Sequence, residues 1–184
     1  MAAKKKSAKS SLYIKTILTR KIVLPFNALG SNMEDILSNL LSLELEGKCI
    51  MEGFVKPSTV KLLHHTAGRV TDTGCSFEIM FESSICRPVE GMRFKCIVKN
   101  VTKAGIRAER EGKISPVIVF IARDHNYSNK YFSIIKTNDI IQVKVIGTRY
   151  ELNDKYISIL AELVETKKKG KKIKLKIPEE DIKK

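Results

Sequence analysis

Basic and aromatic side chains recur together through the second half of the chain. Arg93, Lys95 and Lys99 share one parity along a strand-like segment, Lys103 follows at a turn, and Arg107 lies on the next segment. Phe120, Arg123 and His125 close the segment after that, and Lys144, Arg149, Tyr150, Lys155 and Tyr156 cluster around the last apolar pair. Cations spaced in this way can track a phosphate backbone, and rings between them can stack on bases, which is what binding a single strand requires. The same residues also admit a plainer reading. Phe120 and Tyr156 then belong to a core, and the lysines only solubilise the surface.

Other chemistries find less support. His64 and His65 are adjacent on a strand-like segment, where neighbours point to opposite faces, so they do not readily share one metal ion. Cys49, Cys75, Cys86 and Cys96 form no C-x-x-C pair and each sits in an apolar context, the setting of reduced, buried thiols rather than of a zinc ribbon. There is no P-loop, no G-x-S-x-G and no H-E-x-x-H. The expectation is a non-enzymatic protein with no cofactor and no metal.

The net charge of +14 is unevenly placed. Residues 1–10 hold four lysines and no acid, and residues 167–184 hold nine lysines against Glu179, Glu180 and Asp181. Between them, residues 11–88 balance eight basic against eight acidic side chains, while residues 89–166 carry thirteen against nine. The first half therefore suits a protein partner and the second a polyanion. No apolar run approaches the roughly 20 residues of a membrane span, so no membrane partner is expected, and the N-terminus does not read as a secretory leader.

These residues need elements to hold them. Leu12–Leu24 reads as a long strand stopped by Pro25, with a turn over Asn27–Gly30. Ser31 and Glu34 match a capping box, and Ile36, Leu37, Leu40, Leu41 and Leu43 predict an amphipathic helix over 32–45 with Gly47 as terminator. Strands are expected over Cys49–Lys56, Val60–Leu63 and Ser76–Ile85, the last with Phe77, Ile79, Phe81 and Ile85 on its inner side. Gly68, Asp72 and Gly74 mark turns. Met92–Val101, Gly105–Arg110, Val117–Ala122, Ile140–Ile146 and Tyr156–Val164 follow, with an irregular stretch over 123–138. Five short strands in this arrangement match an OB-type barrel. The chain thus divides into a basic tail (1–11), an α+β domain (12–88), an all-β five-stranded barrel (89–165) and a Lys-rich disordered tail (166–184).

Several segments carry a resemblance. Pro25-Phe26-Asn27-Ala28-Leu29-Gly30, Glu46-Gly47-Lys48-Cys49 with Gly53-Phe54-Val55, Ile85-Cys86-Arg87-Pro88-Val89-Glu90-Gly91, and Lys144–Arg149 with Asn153-Asp154 occur in order and at compatible spacing. Over residues 12–164 the chain resembles the stalk subunit called subunit seven in eukaryotic RNA polymerase II, together with its archaeal RNA polymerase counterpart. The resemblance implies a truncated RNP-like N-terminal domain that docks on the polymerase core, and an S1-type OB barrel facing exiting, nascent single-stranded RNA. It implies as partners the large polymerase subunits and a small helical stalk subunit. Docking is expected around Phe26, Gly30, Gly53 and Phe54, although Phe54 also reads as a core residue. The basic tails and the short Gly68–Gly74 connection depart from the pattern, and the Lys- and Ile-rich sequence is compatible with a copy from a large DNA virus. Localisation follows from source: the nucleus for a cellular copy, the virion or a cytoplasmic factory for a viral one. A free-standing S1-like RNA-binding factor of translation or RNA processing, and a purely structural adaptor, are the alternatives.

Overall fold

The computed structural model describes residues 12–110, 112, 115–127 and 132–164; the two basic tails of the sequence lie outside them. The first unit is built around two long antiparallel strands, β1 (Tyr13–Leu24) and β6 (Gly74–Cys86), paired without interruption from Tyr13↔Cys86 to Leu24↔Cys75. The other edge of β6 is shared by three short strands. β5 (Arg69–Thr71), β4 (Lys61–His65) and β3 (Gly53–Val55) pair with it in turn, and β2 (Cys49–Ile50) pairs with β3. One face of this sheet is covered by α1 (Met33–Leu45), whose Leu37, Leu41 and Leu45 are buried against Phe77, Ile79, Phe81 and Ile85. Burying that stripe is what makes a helix of this length stable.

Local details differ from expectation. The helix is capped by Asn32 rather than Ser31, and no capping box forms. The Asn32 Nδ2 instead donates to the Asp35 carboxylate. Leu43, expected on the buried stripe, is exposed because the stripe runs through residues 37, 41 and 45. The strand expected over Cys49–Lys56 is a hairpin, β2–β3. Its turn delivers Gly53 at φ +135°, where an added Cβ would lie 2.5 Å from the Cys86 carbonyl oxygen, so only glycine fits this close approach. β5 occupies residues read as turn. A bulge at Leu63 interrupts β4, and beside it the His64 and His65 rings lie nearly parallel at 6.4 Å between centroids. Strand alternation therefore does not separate the two rings. Among the described residues no three His, Cys, Asp or Glu side chains converge to hold a metal, and no helix is long and apolar enough to cross a membrane.

The second unit is a closed barrel of β7 (Arg93–Val101), β8 (Gly105–Glu109), β9 (Val117–Ala122), β10 (Ile140–Arg149) and β11 (Ile157–Val164). Around the barrel the strands follow the order β7–β8–β9–β11–β10, with β9 and β11 parallel and the other pairs antiparallel. This is an OB-like barrel. β7 serves both sides of it: residues 93–97 pair with β10 and residues 97–101 with β8.

The two units share a core. Leu12, Cys49, Phe54 and Cys86 belong to the same buried cluster as the barrel residues Phe94, Val119, Val143 and Ile157. The β10–β11 hairpin is tied to β2: Cys49 N–H donates to Asp154 O (2.7 Å), and Asn153 N–H donates to Cys49 O (2.9 Å). All four cysteines are reduced and buried. Burial pushes the thiol of Cys49 up to about 11 and those of Cys86 and Cys96 up to about 12, so these groups stay protonated.

Candidate nucleic-acid interface

Outward-facing residues of β7, β8, β9 and β11 form one row across the barrel: Asn100 opposite Arg107, Arg107 opposite Phe120, and Phe120 beside Leu160. Phe120 is 45% exposed, so it is not part of the barrel core; the core side of β9 is held by Val117, Val119 and Ile121. A mainly apolar groove of about 340 Å³ opens beside it, lined by Asn100, Thr102, Gly105, Arg107, Phe120 and Ala122. Gly105 lets β8 approach β9 closely here, since a Cβ would sit 2.5 Å from Ile121 O. The Arg107 guanidinium lies 3.3 Å from Glu109, an exposed pair that holds it along the strand.

The rim of this groove is set by the β7–β8 turn and the loop after β9. Arg123 N–H donates to Ala104 O (3.0 Å), which brings exposed Lys103 and exposed Arg123 to the same end of the barrel. The Arg123 guanidinium lies 5.2 Å from the Phe132 ring centroid, a cation–π contact that orients it. The loop itself is anchored by Asn126, a residue that no sequence motif marks. Asn126 is 3% exposed; its Nδ2 donates to Ala122 O (2.9 Å), and its Oδ1 accepts from Leu163 N–H (3.0 Å). His125, next to it, is exposed. Lys99 lies at a bulge between Val98 and Asn100 and is also exposed.

Not all candidate residues meet here. Arg93, Lys95 and Lys144 lie on the β7–β10 side, with Arg93 opposite Lys144 and Lys144 3.8 Å from Glu162. Arg149, Lys155 and Tyr156 sit around the β10–β11 hairpin at the Val117 end of β9, whereas the groove lies at its Ala122 end. Across the strand that is roughly 17 Å. Arg149 is 3.5 Å from Glu151, and Tyr156 is 43% exposed and thus outside the core. Tyr150 is partly buried: its hydroxyl donates to Met51 O (3.0 Å), and its ring packs on the barrel cluster.

The residues expected to dock separate too. Phe26 is 53% exposed on a 3-10 turn, with Leu29 and Gly30 exposed beside it. Gly53 and Phe54 are buried, Phe54 completely, in the core shared by the two units. Phe54 has no surface with which to meet a partner.

No known family profile matches the chain. The chain is similar to a protein of Acanthamoeba polyphaga mimivirus named "Putative DNA-directed RNA polymerase subunit". The two are 27% identical over 174 residues, covering 86% of this chain and 85% of the viral protein.

Proposed function

We propose that this chain is a non-catalytic stalk-type subunit of a multisubunit DNA-directed RNA polymerase of a large DNA virus, working in the virion or the cytoplasmic factory. Its likeness to the mimivirus protein along most of both chains supports the polymerase assignment. In this reading residues 12–88 form an RNP-like unit that docks on the large subunits, with the exposed Phe26–Gly30 turn as one contact, and a small helical subunit completes the stalk. The S1-type barrel faces nascent RNA. The observation that carries the RNA contact is the groove at Phe120: an exposed ring on a barrel strand, Arg107 directly opposite, and Lys103 and Arg123 on the rim. A base stacks on the ring while the cations follow the phosphates on either side.

The test is fluorescence anisotropy of the full chain with a labelled twelve-nucleotide single-stranded RNA, read across a salt series. The expected outcome is weak, sequence-tolerant binding that fades towards physiological salt, with a slope of about 0.7 per phosphate contacted. Phe120→Leu, which keeps apolar bulk but removes the π-face, lowers affinity about fivefold. Binding that ignores salt, together with an unchanged Phe120→Leu variant, would instead make the barrel a protein-contacting adaptor.

A further inference from the structure

Among the described residues most strand edges are occupied, and the outer edges of β4 and β5 are only five and three residues long. The barrel is closed, the far edge of β6 is shared by β5, β4 and β3, and the Cys49 edge of β2 bonds the barrel hairpin. β1 is different. It lies at the end of the sheet order, and among the described residues the backbone groups from Ile14 to Val23 bond no element but β6. That stretch spans about 33 Å, far longer than an ordinary strand. Free edges are normally blunted by a bulge, a proline, brevity or charged side chains, lysine above all. β1 has only the last of these: its pairing with β6 runs without a bulge, and its first proline is Pro25, after its end. Two of its apolar side chains are exposed, Ile14 at 62% and Ile17 at 58%, one on each face.

We propose that the outer edge of β1, from Ile14 to Val23, accepts an extended segment of another protein as an additional strand, one that alternates apolar with acidic residues. Main-chain hydrogen bonds supply the affinity and the alternate side chains supply the choice of partner. The charges on β1 select the occupant. It carries Lys15, Arg20 and Lys21 and no acid. Lys15 and Arg20 pair with Glu82 (3.0 Å) and Glu52 (2.8 Å), while Lys21 has no ion pair among the described residues. A second copy would bring the same three cations against themselves. The chain's own terminal segments, with four lysines and no acid in residues 1–10 and nine lysines against three acids in residues 167–184, are net cationic and disfavoured in the same way. An apolar–acidic strand places its apolar residues on the face of Ile14, Leu18 and Ile22 and its carboxylates on the opposite face, beside Lys15 and Lys21. This protein contact belongs to the first unit and holds whether or not the barrel binds RNA.

Hydrogen exchange of the full chain, followed by NMR residue by residue, tests it. The probes are two twelve-residue peptides that alternate valine with glutamate or valine with lysine. In the isolated chain every second amide from Ile14 to Val23 is expected to exchange rapidly, and the glutamate peptide to protect those amides. Lys21→Glu, an exposed substitution whose fold is checked by its melting curve, weakens that peptide about threefold. Slow exchange along the whole of β1 in the dilute isolated chain would mean that one of its own segments covers the edge, and would overturn the proposal. Protection that grows with protein concentration would assign the edge to a second copy and overturn it equally. So would failure of the glutamate peptide to protect β1, or equal protection by the lysine peptide.

Discussion

Truncating Phe54 to alanine tests how the two units are joined. The ring is completely buried in β3, between Cys49 on β2 and Cys86 on β6, in the cluster that continues into the barrel core. Removing a buried phenylalanine costs about 3–5 kcal/mol, the lost transfer energy plus that of the cavity left behind. The site collapses poorly, because the neighbouring Gly53 is already pressed against the Cys86 carbonyl, so the upper part of that range applies. For a folded region of this size each kcal/mol moves the midpoint by about 2–4 °C, so the variant should melt roughly 8–20 °C below the parent. Differential scanning calorimetry gives the midpoint, and hydrogen exchange at β6 and at β9 reports each unit separately. Because the core is shared, one transition is expected, with both strands losing protection together in parent and variant. Two separate transitions, with the substitution lowering only the one seen at β6, would refute the shared core. A variant that melts like the parent would refute the burial of Phe54.

Replacing Asn126 with leucine leaves Ala122 O and Leu163 N–H buried without partners, a loss of about 2–5 kcal/mol. It should appear in urea as a lower midpoint with an unchanged slope. Lys103→Glu, at the groove rim, should weaken RNA binding severalfold, whereas Lys95→Glu, on the β7–β10 side, should change it by less than about twofold; equal effects would mean that the strand does not follow the groove. The raised thiols make stability fall in alkali. The folded chain keeps protons that the unfolded chain releases, so the contribution is complete below pH 9.0 and is lost as pH climbs towards about 11 for Cys49 and about 12 for Cys86 and Cys96. Tyr13 acts in the same direction from 10.0 to about 12, through burial and then the neighbouring Cys86. Melting midpoints measured from pH 7 upward check the sign, and the folded protein should also resist thiol reagents at pH 8.

Where a pattern is local, the sequence was legible. Val117–Ala122 is a strand with the bounds its composition suggests, and the alternation Phe77, Ile79, Phe81 faces the helix as expected. Gly47, at φ +72°, follows the end of α1. What could not be read depends on contacts far apart in the chain. Phe120 sits in an almost wholly apolar strand, and nothing local distinguishes its outward position from the inward ones; closure of β9 against β8 and β11 decides it. Tyr150 looks like any exposed hairpin aromatic until the hairpin meets Met51, 99 residues away. Cys49, Phe54 and Cys86 read as the core of the first unit, yet they pack beneath the second. The basic residues were recognisable as a set, but their division between the groove, the β7–β10 side and the hairpin follows from barrel register alone.

Membership of a polymerase is tested most directly by affinity purification of the tagged full chain from its native source, in moderate salt with nuclease present. The predicted result is recovery of the two largest polymerase subunits in stoichiometric amounts, held by protein contacts that nuclease does not break. Recovery of ribosomal or RNA-processing factors without polymerase would contradict it and identify a free-standing RNA-binding protein.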